Sequence, residues 1–155
     1  MSNSCTSIML SDPITLKPTL TIKETLEIVR NSPSRYMPVV DENGDYLGVF
    51  SSMTLIRLLL PESVSIKGGK NKFELDFMDT SLPELKEKVA QFADKQIKEY
   101  IITDEVPTCT PKTSVMEALN LLYKHRYHTI VLEENSRKFL GIVSIKGTFK
   151  KILES

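Results

Sequence analysis

The sequence predicts a mixed α/β (α+β) fold in which one strand, helix, strand, strand, helix unit is built twice. Three observations carry that prediction. Residues 8–60 overlay residues 101–153 at a constant separation of 93 with nine identities, among them Thr15/Thr108, Pro18/Pro111, Glu24/Glu117, Gly48/Gly141 and Ser51/Ser144. Self-similarity at a fixed spacing marks one structural unit used again. Other pairs keep their chemistry while the letters change, as in Thr21/Ser114, Ile22/Val115, Asp41/Glu134 and Tyr46/Phe139. Finally, helical and strand-like patterns follow in the same order in both copies. A unit of about sixty residues buries too little surface to stand comfortably alone, so the two are expected to share a core.

Each unit opens with a short, proline-bounded strand, Asp12-Pro13-Ile14-Thr15-Leu16 before Pro18 and Val106-Pro107-Thr108-Cys109 before Pro111. Proline cannot donate to a ladder, so both read as edge-like strands. Next, Thr21-Ile-Lys-Glu24 and Ser114-Val-Met-Glu117 match the capping box, in which hydroxyl and carboxylate satisfy free amides at a helix start. Ile22, Leu26 and Val29 give the first helix an apolar stripe, as Val115, Leu119, Leu122 and Tyr123 give the second. The helices are expected to stop near Ser32-Pro33 and Lys124-His125.

A hairpin then follows in each copy. Its strands are Tyr36 to Val40 and Tyr46 to Ser51 in the first, Thr129 to Leu132 and Phe139 to Ser144 in the second. Asn43-Gly44 in the first turn tolerates the positive φ that tight hairpins require. Closing helices are expected over about Ser52 to Leu60 and Ile145 to Leu153. Between the copies, Ser81-Leu-Pro-Glu84 begins a further helix striped by Leu85, Val89, Phe92 and Ala93. The domain boundaries on this reading are 1–61 for the first motif, 62–96 for a connecting loop and helix, and 97–155 for the second motif.

Composition narrows the function. With 20 basic against 20 acidic side chains, the chain has no broad positive field for nucleic acid. No apolar run reaches membrane-spanning length, and the first thirty residues lack a basic start followed by an apolar core, so membrane insertion is not expected and the reading is cytoplasmic. Cys5 and Cys109 have neither metal-ligand spacing nor a CxxC arrangement; Cys109 falls opposite Leu16 and reads as a small buried hydrophobe. No nucleophile is assembled with a base and no paired carboxylates occur, so an enzyme is not expected. Lys67-Gly-Gly-Lys70-Asn-Lys72 does not match GxxxxGK[ST] and reads as a solvated loop. Asp41, Glu42, Glu133 and Glu134 read as exposed turn charge.

The run Asp12-Pro-Ile-Thr-Leu16, the capped helix, Met37-Pro-Val-Val-Asp41, Asn43-Gly44 and Tyr46-Leu-Gly-Val-Phe-Ser51 resembles a CBS motif, and Gly141-Ile-Val-Ser144 repeats its end. Two in tandem resemble a Bateman module. The resemblance implies two motifs, each β-α-β-β-α, packed sheet to sheet about a pseudo-twofold axis, with two clefts between them. It further implies an adenosyl ligand such as AMP, ADP, ATP or S-adenosylmethionine, pairing into a homodimer, and control of a partner such as an enzyme or transporter. The runner-up reading is a degenerate pair that keeps the dimer surface without a ligand.

In that family the strand-to-helix junction carries Gly, two apolar residues, Ser or Thr, two more residues and a ribose-binding Asp. Here Thr54 and Gly147 stand where the aspartates would. Thr54 would still allow one hydrogen bond to a sugar hydroxyl; Gly147 offers no side chain. The ligand-binding residues implied are therefore Ile14, Arg35, Tyr36, Ser51, Thr54, Pro107, His128, Ser144 and Lys146. Arg35 and His128, opposite one another in the overlay, suit an anion with Lys146; they equally suit a helix-end cation and an interfacial histidine. Ser51 and Ser144 are also good helix caps. The expectation is two unequal clefts, at most one of which binds a nucleotide in the usual way.

Overall fold

The computed structural model of the protein describes residues 3–32, 36–60, 79–104 and 106–155. It is a mixed α+β fold. Among the described residues the helices are α1 (Ile22–Arg30), α2 (Ser52–Leu59), α3 (Leu82–Phe92), α4 (Val115–His125) and α5 (Ile145–Glu154). Strands β1 (Tyr36–Val40) and β2 (Tyr46–Ser51) form one antiparallel sheet. In the other, β3 (Thr108–Cys109) lies parallel to β4 (Thr129–Leu132), which pairs antiparallel with β5 (Phe139–Val143).

The capping signals place the helix starts where expected. Thr21 and Glu24 form a complete capping box. Ser114 accepts from the Glu117 amide and Ser81 from the Glu84 amide. The leading strands are shorter than their β-branched runs suggest. In the first motif, Asp12 to Leu16 contracts to a bridge in which Leu16 donates to Pro38 O at 2.9 Å and accepts from Val40 N at 2.9 Å. Proline at either side removes the donors that would extend it.

The overlay of the two copies needs one correction. Leu16 sits beside Val39 while Cys109 pairs with Val131, and Val39 opposes Gly48 while Val131 opposes Gly141. Leu16/Cys109 and Gly48/Gly141 keep the separation of 93, but Val39/Val131 are 92 apart. Strand β4 therefore slips by one residue relative to the gapless overlay. The hairpin turns show the compensation: Asp41 N bonds Asp45 O, whereas Glu133 N bonds Lys138 O across one more residue. His128 is thus the counterpart of Tyr36, not of Arg35, and Glu133 rather than Glu134 is the counterpart of Asp41.

Each motif is completed by the segment that leads into the other. Leu10 and Ile142 exchange both backbone hydrogen bonds, at 2.8 and 3.0 Å, and Val49 and Ile102 do the same at 2.9 and 2.8 Å. At the helix starts, Val115 N donates to Asn3 O, and Ile22 N donates to Lys95 O. On the pseudo-twofold axis Tyr46 N donates to Arg137 O and Phe139 N to Gly44 O, at 2.8 and 2.9 Å. A shared core of Tyr46, Val49, Val106, Ile130, Leu132 and Ile142 lies between the motifs, flanked by one core proper to each.

This exchange accounts for the paired glycines. A Cβ on Gly48 would stand 2.7 Å from Ile102 O, and one on Gly141 would stand 2.5 Å from Leu10 O. Both clashes are with backbone, which cannot rotate away. Gly141→Ala is therefore expected to destabilise the fold by about 2 kcal/mol, a fall in melting temperature of roughly 4–8 °C. A melting temperature unchanged in differential scanning calorimetry would contradict the close approach.

Candidate functional site

A cleft of about 650 Å³ opens beside the exchanged leading segment of the first motif. One wall is Leu10, Asp12, Pro13 and Ile14; the others come from Tyr36 and Pro38 of β1, the end of α4, and the start of α5. That volume suits a small-molecule ligand. Its chemistry divides cleanly. Ile14, Leu10, Tyr36, Tyr127 and the ring of His128 supply apolar and aromatic surface, while Arg126, Lys146 and Lys150 supply positive charge against one carboxylate, Asp12.

The strand-to-helix junction shapes the charged end. Ser144 leaves β5 with extended backbone and caps α5, its Oγ accepting from Gly147 N at 2.9 Å. Gly147 fits this turn because a Cβ there would stand 2.7 Å from that same Oγ. Lys146 and Lys150 are one helical turn apart, so their side chains rise from one face. The amides of a first helical turn carry partial positive charge, which adds to the field of the two lysines. Arg126 ends α4 in the left-handed conformation, φ 64°, and donates from Nε to Tyr123 O at 3.1 Å. Its guanidinium lies 5.5 Å from the centre of the Tyr123 ring.

Aromatic rings form the back of the cleft. Tyr36 and Tyr127 have ring centres 4.7 Å apart, and Tyr36 meets His128 edge to face at 6.0 Å. His128 is therefore packed against its own pseudo-symmetry partner. Its Nδ1 is buried without a hydrogen-bond partner, and burial holds its pKa below the ordinary histidine value.

Of the residues expected at a site, Ile14, Tyr36, His128, Ser144 and Lys146 come together here. Ser51, Thr54 and Pro107 do not line this cleft. Ser51 is buried and caps α2 by accepting from Met53 N at 3.1 Å; Pro107 is buried and accepts from Ile130 N at 2.9 Å. Thr54 is buried with its hydroxyl unpaired. Arg35 and the Lys67 to Lys72 loop lie outside the described residues. Sequence reasoning missed Lys150, whose spacing from Lys146 was a usable signal, and also Leu10 and Asp12, which reach the cleft only through the segment exchange. Glu133 and Glu134 are exposed, and Glu134 pairs with Lys112 at 3.0 Å. No cluster of three metal-ligating side chains occurs, and no helix is long and apolar enough to cross a membrane, among the described residues.

The sequence profile of the CBS domain matches twice, at residues 5–61 and 97–154. The chain belongs to the CBS-domain family. The CBS pair is similar to inosine-5'-monophosphate dehydrogenase of Aquifex aeolicus (strain VF5), at 22% identity over 143 residues, covering 92% of this chain and 23% of that protein. It thus spans about a quarter of the length of the curated relatives it matches. Among solved structures, the CBS-pair protein CBSX2 from Arabidopsis thaliana superposes with a TM-score of 0.71 at 16% identity, covering 99% of this chain and 96% of that one. A structure of CBSX2 in complex with AMP superposes with a TM-score of 0.67 at 18% identity, covering 97% and 96%. The profile matches begin at Cys5 and Ile97, the buried residues that open the two exchanged segments.

Burial of His128 sets a pH dependence. Its folded pKa lies below the ordinary value of 6.5, so the unfolded chain binds the extra proton first and stability falls as pH drops below about 6.5. Between about pH 7.5 and about pH 5 the melting temperature is expected to fall, and His128→Gln is expected to remove part of that fall. An identical pH profile in the variant would show that the imidazole is not held neutral.

Proposed function

We propose that the CBS pair is a non-catalytic regulatory module that senses an adenosyl ligand or a related anion in the cleft beside Ser144. Ligand binding there changes the geometry presented to a dimer partner or to a regulated enzyme or transporter in the cytoplasm. The observation that carries this reading is the convergence of Lys146, Lys150 and Arg126 on a cleft with one carboxylate and an apolar, aromatic wall. Phosphate would face the α5 start and the lysines, and a flat base would lie against Ile14 and Tyr36. The AMP complex of CBSX2 makes AMP the first ligand to test. Since Gly147 has no side chain for a sugar hydroxyl, phosphate contacts carry more of the affinity than they would beside a carboxylate.

Titration calorimetry with AMP, ADP, ATP and S-adenosylmethionine is expected to give at least one dissociation constant below about 1 mM. Lys146→Gln is expected to weaken it by about tenfold, roughly 1.4 kcal/mol, and added salt should weaken the wild type more than the variant. Absence of heat from all four ligands would remove the adenosyl reading. In that case the degenerate pair, in which the fold persists as an interaction module, becomes the better description.

A dimer is proposed from a different observation. Tyr123, Ile145, Phe149 and Ile152 form an exposed apolar surface over α4 and α5, with Phe149 60% exposed. Surfaces of this kind mark interaction sites. Sedimentation velocity is expected to show a dimer at micromolar concentration and a monomer for Phe149→Glu; a monomeric wild type would count against a homodimer.

A further inference from the structure

The two cysteines of the chain meet in space. Cys5, in the 3-10 turn Cys5–Ser7, and Cys109, in β3, are separated by 104 residues, yet their sulfurs lie 3.9 Å apart in the core of the second motif. Both are free thiols. The pseudo-symmetry makes their placement informative. Cys109 takes the position of Leu16 beside the hairpin, and Cys5 opens its exchanged segment as Ile97 opens the other. Leu16 and Ile97 belong to one buried aliphatic cluster. One motif thus uses two aliphatic side chains where the other uses two thiols, so both partners of the arrangement differ together.

We propose that Cys5 and Cys109 are a reversible cross-linking site, forming an intramolecular disulfide by exchange with a low-molecular-weight disulfide. Their sulfurs need to close by about 2 Å to reach bonding distance, about 2.05 Å. The short turn around Cys5 would make that adjustment, giving up the donation of the Cys5 thiol to Thr110 O at 3.4 Å. It is held by Cys5 N to Thr113 O at 2.8 Å and by the Ser4 hydroxyl, which donates to Pro111 O.

Chemistry begins when the leading segment opens and Cys5 meets the reagent. The Cys5 thiolate attacks one sulfur of the small disulfide, breaking that bond and expelling one small thiolate. With the segment closed again, Cys109 loses its proton and attacks the Cys5 sulfur, forming the protein disulfide and expelling the second small thiolate. Two protein thiols are oxidised, one small disulfide is reduced to two small thiols, and the two protons pass to the leaving groups. Burial and the neighbouring Cys5 push the Cys109 thiol up to about 12; Cys5 initiates because it lies in the leading turn, Cys5–Ser7, whereas Cys109 lies within β3. The mixed disulfide also replaces that ionisable neighbour with a sulfur that cannot ionise. Slow, opening-limited exchange is the signature expected of buried thiols.

The consequence falls on the cleft wall, because Leu10 and Ile14 belong to the same leading segment. Full-length protein is incubated with excess oxidised glutathione, then analysed by intact mass, thiol titration and thermal melting. The expected product has lost two hydrogens and both thiols, runs as a single chain without reductant, and melts higher by about 10 °C, since a loop of about a hundred residues is closed. Dithiothreitol is expected to reverse all three changes. Cys5→Ser and Cys109→Ser should each give neither the mass change nor the rise; Cys109→Val, matching the aliphatic solution of the other motif, guards against a folding defect. Persistence of both thiols, a stable glutathione adduct on the wild type, or a cross-link between two chains would each overturn the proposal.

Discussion

Reciprocal backbone pairing between each hairpin and the other motif's leading segment is the constraint on which the structure rests. Leu10 closes the edge of β5, and Ile102 closes the edge of β2. An open strand edge would leave donors and acceptors unsatisfied in the middle of a shared core. Satisfying them from the partner motif removes that cost and brings the two hairpins together over Tyr46, Ile130 and Ile142. The glycine at each contact follows from distance alone, because no side chain fits between two backbones this close. Capping then completes the join, with Asn3 and Lys95 carbonyls receiving amides that the first helical turns cannot satisfy internally.

Much of this was legible in the residues. The hydroxyl and carboxylate three apart placed the starts of α1, α3 and α4, and the apolar runs around Asn43-Gly44 placed the first hairpin, because each signal is local and has one physical meaning. The slip of β4 was not legible. One residue more in the second turn is offset before the strand, and a gapless overlay of sequence averages over two opposite displacements. That slip matters at the site, since it makes Tyr36 and His128 equivalent positions, and their rings meet edge to face. The segment exchange was equally hidden, because the residues concerned carry ordinary apolar side chains and the information lies in backbone groups common to every residue. Ser144 and Lys146 were recognised from the junction pattern, whereas Asp12 and Leu10 reach the cleft through a connection that no periodicity encodes.

The two junctions show how one scaffold yields different chemistry. Both serines cap a helix, but Ser51 bonds the second amide of its helix and Ser144 the third. Thr54 is buried in one motif, while Gly147 tightens the turn in the other and leaves room beside Lys146. Pseudo-symmetry therefore governs the positions of backbone groups and releases the side chains around them. A half-buried imidazole packed against a tyrosine ring is a further departure, placing a group with an ordinary pKa near neutrality where the other motif has a phenol.

Interlocking also dictates an order of assembly. The first motif receives carbonyls from Ala93 and Lys95, which follow it in the chain, whereas the second receives Asn3 and the turn at Cys5 from the start. During synthesis from the amino end, residues 3–10 have no hairpin to join until β5 has emerged. Contacts this distant in sequence slow folding and lengthen the time for which strand edges stay open. Cutting the chain between the motifs would leave each hairpin separated from the segment that seals it, so the duplicated unit is a unit of architecture and not one of independent folding.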